Sequence, residues 1–490
     1  MRRNPTTRNG ASLDTASLNF VFFGLLAALL SNVNKSAIWR SAILMVASLV
    51  FIGFIAHSFF ALLPFIGFLA LGYIGVVIAE RWKSAVLPWM VGLAIFTYIW
   101  LKKYTFLPDG MLLHGFYFTL GLSYVFFRVL HLMIETGQNS EKQRITPLSY
   151  LLYTLNFTTF ISGPIQRYDD FVRDQYAAEP IGLGIRVVGL QLERLIRGFF
   201  KVNVLALVLI DVQRDALAKL ANPAPTSLRL LAAIELAVVY PFFLYCNFSG
   251  YIDIVIALAR LMRIQLPENF DRPFSACSFL DFWNRWHITL STWLKTYVYN
   301  PVLLALMRRV SSKALQPLLG VFSFFVTFFL VGVWHGRTSE FLVFGILQGA
   351  GVAVNKLWQV VMTARLGRKQ YVELGKNPLY VACARGLTFS WFAFTLFWFW
   401  ASWQEIALVF NAVPRSQWLV VWAAVFVCAT VGLAMWERLR SALLSIKIAQ
   451  QPMFLSRYAR VVYASALGMA ALVLTVLLNQ PAPDIVYKGF

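Results

Sequence analysis

Asp281-Phe-Trp-Asn-Arg-Trp-His-Ile-Thr-Leu-Ser-Thr-Trp-Leu-Lys-Thr-Tyr-Val-Tyr-Asn-Pro301 is the stretch whose reading organises the rest of the chain. At about 100° per residue, Phe282, Trp286, Leu290, Trp293 and Tyr297 share one face. Asn284, His287 and Ser291 form a narrow polar strip beside it. Asp281, Arg285, His287 and Lys295 make a position across a bilayer centre costly. The pattern therefore predicts an amphipathic surface helix rather than a span. The apolar run that follows, 317–334, carries no charge and leads into Val333-Trp334-His335-Gly336. A histidine-bearing helix thus feeds a membrane helix that itself ends on a histidine. At 1.5 Å per residue that crossing rises about 27 Å, which places His287 near the inner surface and His335 in the outer half.

Composition sets the class. Of 490 residues, 59% are apolar and only 13% charged, which predicts an all-α polytopic membrane protein. The net charge of +21 does not imply nucleic acid, because the basic residues sit mostly in short loops between apolar runs, as in loops retained on the cytoplasmic side. Cys246, Cys277, Cys383 and Cys428 show neither a CxxC pair nor metal-ligand spacing, so no disulfide framework or metal site is expected. Met1-Arg2-Arg3 and the apolar run after it imitate a signal peptide. No small-residue cleavage site follows, and an uncleaved first helix is expected.

Runs long and apolar enough to cross are 16–33, 38–55, 59–79, 86–101 and 112–133. The pattern then changes. Residues 147–164, broken by Asn156 and Gly163-Pro164, suggest a re-entrant element. Residues 181–200 carry Arg186, Glu193, Arg194 and Arg197 and suggest an interfacial helix. Embedded segments at 202–212, 228–248 and 252–261 follow, the last two joined through Asn247-Phe-Ser-Gly250. Spans at 317–334, 341–362, 387–401, 418–436 and 461–478 complete a count of about ten to twelve, in one membrane domain divided as 1–111, 112–363 and 364–490. Loop charge orients the second half. Arg308 and Arg309 before 317–334, and Arg365, Arg368 and Lys369 after 341–362, belong on the cytoplasmic side, so His335 points outward. Charges flanking the first run do not settle its direction. No internal repeat is evident, which weakens a transporter reading.

Few residues can carry chemistry. His335 is either a helix-terminal histidine, with Gly336 supplying the turn, or a general base or acid. His287 is either interfacial or a donor-side residue. Asn247, Ser249 and Asp253 form a polar cluster in which a carboxylate costs roughly 2.5–3.5 kcal/mol to insert, so Asp253 should face protein or water. Tyr124, Arg128, His131 and Glu135 make a stripe facing the bundle interior, with an architectural role favoured. Ser162-Gly-Pro-Ile-Gln-Arg167 reads as a surface turn where Arg167 meets a phosphate or simply closes a loop. His57 and His114 have no companions. With Asn284, Ser291 and Trp334, the residues Asn247, Ser249, Asp253, Arg167 and Arg128 complete the candidates for lining a substrate passage. Nothing matches a phosphate-binding glycine loop, a metal-binding helix or a Gly-x-Ser-x-Gly elbow.

Taken in order, Ser162-Gly-Pro-Ile-Gln-Arg167, Asn247-Phe-Ser-Gly-Tyr-Ile-Asp253, Pro267-Glu-Asn-Phe-Asp-Arg-Pro-Phe274, Asp281–Ser291 and Gly332-Val-Trp-His-Gly336 resemble the membrane-bound O-acyltransferase family. The nearest branches are those acting on alginate and on teichoic acid. Gly250-Tyr-Ile-Asp253, Pro267-Glu-Asn-Phe270 and the tail Asp484–Phe490 lean to the first, Gly121–Arg128 and Asn284–Thr289 to the second. The resemblance implies the family's fold, His335 as catalytic histidine and His287 as a second histidine near a cytoplasmic donor entrance. It implies a passage joining a cytoplasmic thioester to an extracytoplasmic hydroxyl in the bacterial inner membrane. No bound cofactor is expected. The implied donor is acetyl-CoA, or alternatively the phosphopantetheine thioester of a carrier protein delivering D-alanine. Implied partners are membrane lipid, an extracytoplasmic acyltransferase, a polysaccharide acceptor and, for the alternative, an acyl carrier protein. The rival from another class is a transporter of polysaccharide precursors that uses Asp253 and Arg128 as pathway charges.

Overall fold

Helices carry nearly all of the chain. The computed structural model describes residues 17–56, 58–82, 85–138, 144–312, 314–448, 451–452, 456–478 and 480–486. His57, the first sixteen residues and the end of the tail, 487–490, lie outside these. Four apolar helices come first: α1 (Leu18–Ser31), α2 (Ala37–Ile55), α3 (Phe59–Trp82) and α4 (Leu87–Leu101). The central part comprises α5 (Leu122–Gln138), α6 (Pro147–Leu155), α7 (Tyr168–Gln175), α8 (Ile185–Phe200), α9 (Ala206–Ala221), α10 (Thr226–Leu261), α11 (Phe279–Trp283), α12 (Ile288–Leu294) and α13 (Asn300–Arg309). Then follow α14 (Gln316–His335), α15 (Ser339–Leu374), α16 (Pro378–Thr395), α17 (Phe397–Trp400), α18 (Trp403–Ala412), α19 (Trp418–Ser445) and α20 (Arg457–Leu478). Among the described residues, the one strand ladder pairs Lys447–Ile448 with Gln451–Pro452. Among the described residues, eight helical segments are long and apolar enough to cross a membrane, and the shorter α1 and α4 are also apolar. The protein is an all-α, polytopic membrane protein.

Side-chain ties fix which helix ends lie together. The Tyr104 hydroxyl donates to the Val333 carbonyl at 2.9 Å, so the end of α4 sits beside the end of α14. At the opposite end, the Asn32 amide donates to the Leu261 carbonyl at 2.8 Å. With the basic loop before α14 on the cytoplasmic side, the end of α4 lies with the end of α14 on the outer side.

Three expected boundaries are corrected. First, 228–248 and 252–261 are one helix, α10. Gly250 does not break it, because the glycine is needed for close approach: a Cβ there would come within 2.8 Å of the Gly198 carbonyl. Helix α10 runs alongside a rod made of α8, one π turn at Lys201–Leu205, and α9. The segments expected as an interfacial helix at 181–200 and a separate embedded one at 202–212 are thus a single unit.

Second, the amphipathic helix expected over 281–301 is broken at His287, which takes a left-handed conformation with φ +46 and ψ 52. That conformation costs a non-glycine residue about 1 kcal/mol or more. The break turns Trp286 and His287 inward, to 1% and 0% exposure, while Asn284 stays exposed and Ser291 half-buried. The polar strip does not survive as a strip, and the element is not a surface helix.

Third, Ser162–Gln166 is buried instead of forming a surface turn, and only Arg167 of that motif is exposed. Buried irregular backbone must find internal partners. The Ile165 N–H donates to the Thr289 hydroxyl at 3.1 Å and the Tyr153 hydroxyl donates to the Gln166 carbonyl at 2.6 Å, while just upstream Arg128 donates to the carbonyls of Tyr153 at 3.2 Å, Thr154 at 2.7 Å and Thr159. The broken, re-entrant character expected for 147–164 is what the structure has: helix α6, then non-helical chain. The outer hairpin of α14 and α15 is tightened by glycines, since a methyl group on Gly332 would collide with the backbone of Gly345.

Candidate active site

Helix α14 delivers His335 with its ring 1% exposed, between Trp334 (centroids 4.7 Å apart), Phe399 (5.2 Å) and Phe344 (5.9 Å). Gly336 does not supply a left-handed cap. Its φ of −169 is extended, and its missing side chain makes room for the Phe341 ring. One side of His335 opens onto a cavity of about 470 Å³, also lined by Lys102, Lys103, Tyr104, Tyr117, Thr119 and Arg337. The cavity lies at the ends of α4 and α14 that Tyr104 ties together.

His287 is not at the inner surface. Its Nε2 lies 3.2 Å from the Tyr124 hydroxyl, the Tyr124 ring meets Trp334 edge-on at 5.9 Å, and Trp334 abuts His335. Both histidines therefore belong to one packed aromatic cluster, which the helical rise of α14 taken alone did not suggest. The chain from Leu266 to His287 returns into the protein, and Asn269 anchors it. The Asn269 Oδ1 accepts from the Thr289 backbone N–H at 3.1 Å and the Thr289 hydroxyl at 2.9 Å, and it lies 3.3 Å from His287 Nδ1. Because that oxygen only accepts, Nδ1 carries the proton and Nε2 is left to accept from Tyr124. Asn269 and Tyr124 were missed as site residues, although the Pro267–Phe274 motif and the α5 stripe each contain one of them.

The inner face has its own cavity, of about 280 Å³, lined by Arg194, Arg197, Lys201, Tyr245, Ser249, Asp253, Phe270 and Arg272 among others. Asp253 accepts from Arg194 at 2.9 Å and Lys201 at 2.8 Å, with Arg197 at 3.4 Å. Lys201 also reaches the Ser249 hydroxyl at 3.3 Å. Aromatic rings separate this cavity from the cluster: Phe270 packs on Phe248 at 5.2 Å, and Phe248 meets His287 edge-on at 5.0 Å.

The remaining candidates fall elsewhere. Asn247 holds the tail, donating to the Asp484 carbonyl at 3.2 Å and accepting from the Val486 N–H at 3.0 Å. Arg128 is spent on backbone carbonyls. Arg167 pairs with Glu135 at 3.6 Å. His114 is exposed and outside the cavities. The structure thus brings together His335, Trp334 and His287, sets Ser249 and Asp253 in the inner cavity, and leaves Asn247, Asn284, Ser291, Arg128 and Arg167 outside both. Among the described residues, no group of three His, Cys, Asp or Glu side chains is placed to hold a metal.

The candidate site is thus a buried imidazole facing one cavity, a second imidazole linked to it through Tyr124 and Trp334, and a second cavity beyond Phe248 and Phe270. Residues 83–385 match the membrane-bound O-acyltransferase family, and the chain belongs to that family. It is a multi-pass inner-membrane protein. It is 30% identical over 260 residues to a teichoic acid D-alanyltransferase of Streptococcus thermophilus, covering 53% of this chain and 61% of the relative. It is 31% identical over 214 residues to a peptidoglycan O-acetyltransferase of Helicobacter pylori, covering 43% and 38%. With a probable alginate O-acetylase of Pseudomonas fluorescens, the identity is 29% over 327 residues, covering 65% and 61%. The chain thus spans less than two thirds of the length of each of these relatives.

Proposed function

We propose that this protein is an O-acyltransferase that carries an acyl group from a cytoplasmic thioester, acetyl-CoA in the first reading, to a hydroxyl on an extracytoplasmic polysaccharide or on a partner transferase that serves it. The observation that carries the reading is His335, buried in an aromatic cluster and open to the outer cavity. His335 accepts the proton of the attacking hydroxyl while its oxygen bonds to the thioester carbonyl carbon. The C–S bond then breaks, and the imidazolium returns the proton to the thiolate. General-base help of this kind is worth roughly 10²–10⁴ in rate, and holding both reactants in register supplies much of the rest.

Trp334 fits the role of oxyanion donor, since its indole N–H is buried without a hydrogen-bond partner beside His335. His287 fits a positioning role through Tyr124. Its neutral Nδ1–H tautomer orients that hydroxyl at the centre of the cluster. The inner cavity suits the phosphates of a thioester donor, and Phe248 and Phe270 stand where the acyl arm would pass. A partner acyltransferase and a polysaccharide acceptor belong to this reading.

The alternative donor, a D-alanyl thioester on a carrier protein, is favoured by the relatives named teichoic acid D-alanyltransferases. A transporter is disfavoured, because Asp253 and Arg128 are occupied by internal partners. The test is the acyl content of the surface polymer in His335→Ala and His287→Ala strains with protein level unchanged. Acylation lost while polymer export stays normal supports the enzyme. Export lost with acylation intact defeats it.

A further inference from the structure

The outer cavity has a one-sided charge. Its lining includes Lys102 and Lys103, just beyond α4, and Arg337, just beyond α14, with no acidic side chain among them. The inner cavity is different: its Arg194, Arg197, Lys201 and Arg272 face Asp253, Glu268 and Asp271, which leaves one cation in excess. The outer cavity therefore holds the larger excess of cations, and its lining contains no carboxylate to offset them.

The fold holds these charges together. The Thr105 hydroxyl donates to the Arg337 carbonyl at 2.7 Å, clamping the two segments against each other despite like charge. Lys103 takes a left-handed conformation, φ +53, and its ammonium lies 4.7 Å over the Tyr117 ring and 3.4 Å from the Gly115 carbonyl. Neither Lys102 nor Arg337 has a carboxylate partner among the described residues. Burial, and then the charge of Arg337, pull the Lys102 ammonium down to about 8. Three cations around a half-enclosed cavity repel one another, and an anion in the cavity relieves that repulsion.

We propose that the outer cavity is an anion-binding acceptor subsite: the molecule acylated beside His335 carries a carboxylate or phosphate near its reactive hydroxyl, and Lys102, Lys103 and Arg337 hold that group. This rests on the acyl-transfer reading. Arg337 offers a planar fork to two oxygens, and the lysines add point charges. Held this way, the anion fixes the acceptor's register so that its neighbouring hydroxyl lies at the imidazole, and a neutral sugar chain lacks that anchor.

The test is equilibrium binding, without turnover, to the full-length protein in lipid nanodiscs. The probes are fluorescent six-unit oligomers of a uronic acid, of glycerol phosphate and of neutral glucose. At least one anionic oligomer should bind more tightly than the neutral one and weaken with salt, and the stronger of the two anionic arms identifies carboxylate or phosphate as the source. Lys102→Gln and Arg337→Gln should each weaken it by about tenfold, and Lys102→Arg should restore it. Arg337, being exposed, carries the test if Lys102→Gln fails to accumulate. Equal binding of the neutral oligomer, or unchanged affinity in Arg337→Gln, overturns the proposal. Failure of the underlying reading looks different: acylation persists in His335→Ala while charge-selective binding stands.

Discussion

Asp253→Ala removes the carboxylate shared by Arg194, Arg197 and Lys201. The consequences differ by partner. Arg194 keeps Glu268, which it meets through two bonds of 2.6 Å, and Arg197 is 39% exposed and reaches water. Lys201 is 19% exposed and has no other carboxylate among its ion pairs. Stranding one charge of a buried pair costs about 3–5 kcal/mol. Relief of Arg194 and Arg197 by their other partners places this variant at the low end, about 3 kcal/mol. Lys201→Met should cost less, and the double variant Asp253→Ala/Lys201→Met should recover at least about 1 kcal/mol of the sum of the single losses. The assay is a double-mutant cycle in detergent micelles, with unfolding followed by the fraction that stays monodisperse after graded heating. If Asp253→Ala unfolds with the wild type, or if the two losses simply add, the ion cluster is not a structural clamp. Asp253 would then return to the pathway role that a transporter requires.

Three further outcomes follow from the packing and charge. Arg128→Met should destabilise the protein by about 3 kcal/mol or more, because three buried carbonyls lose a charged donor together; stability equal to wild type in the same heating assay would contradict its role in the buried 153–159 backbone. Gly345→Leu should force α14 from α15, displace His335 and abolish acylation even in molecules that still insert, which polymer acyl content per unit of membrane protein measures. Acceptor-anion affinity should fall as pH rises through about 8, since Lys102 is charged below that value and neutral above it. Arg337, Lys103, Tyr104, Tyr117 and His335 line the same cavity, and a bound anion will move the loss upward in pH. Affinity that is flat from pH 7 to 10 would remove Lys102 from the subsite.

Much of this architecture is legible in apolar runs. The uncharged 317–334 run did mark the helix that carries His335, and the α5 stripe did point inward, with Tyr124, Arg128 and His131 all buried. What periodicity misses is where the backbone departs from it. His287 in a left-handed turn has no sequence signature, since only glycine announces that conformation. A perfect helical pattern over 281–301 therefore concealed a break that moves His287 from the inner surface to the Tyr124 hydroxyl, two rings away from His335.

Gly250 gave the opposite error. A glycine suggests a break, yet here it serves a close helix contact, and only the partner Gly198 on a helix some fifty residues earlier reveals it. Lys102 and Lys103 read as ordinary loop charges until packing set them beside Arg337. Asn247 read as a polar lining residue until the tail was found bonded to it.

The most direct measurement is a single-turnover reaction in which purified protein in nanodiscs, loaded from one side with labelled acetyl thioester, meets an oligosaccharide acceptor on the other. His335→Ala should slow appearance of the acetyl ester by roughly 10²–10⁴, with thioester binding unchanged. An ester formed at the wild-type rate in that variant would mean that the imidazole at the head of the outer cavity does not take the proton.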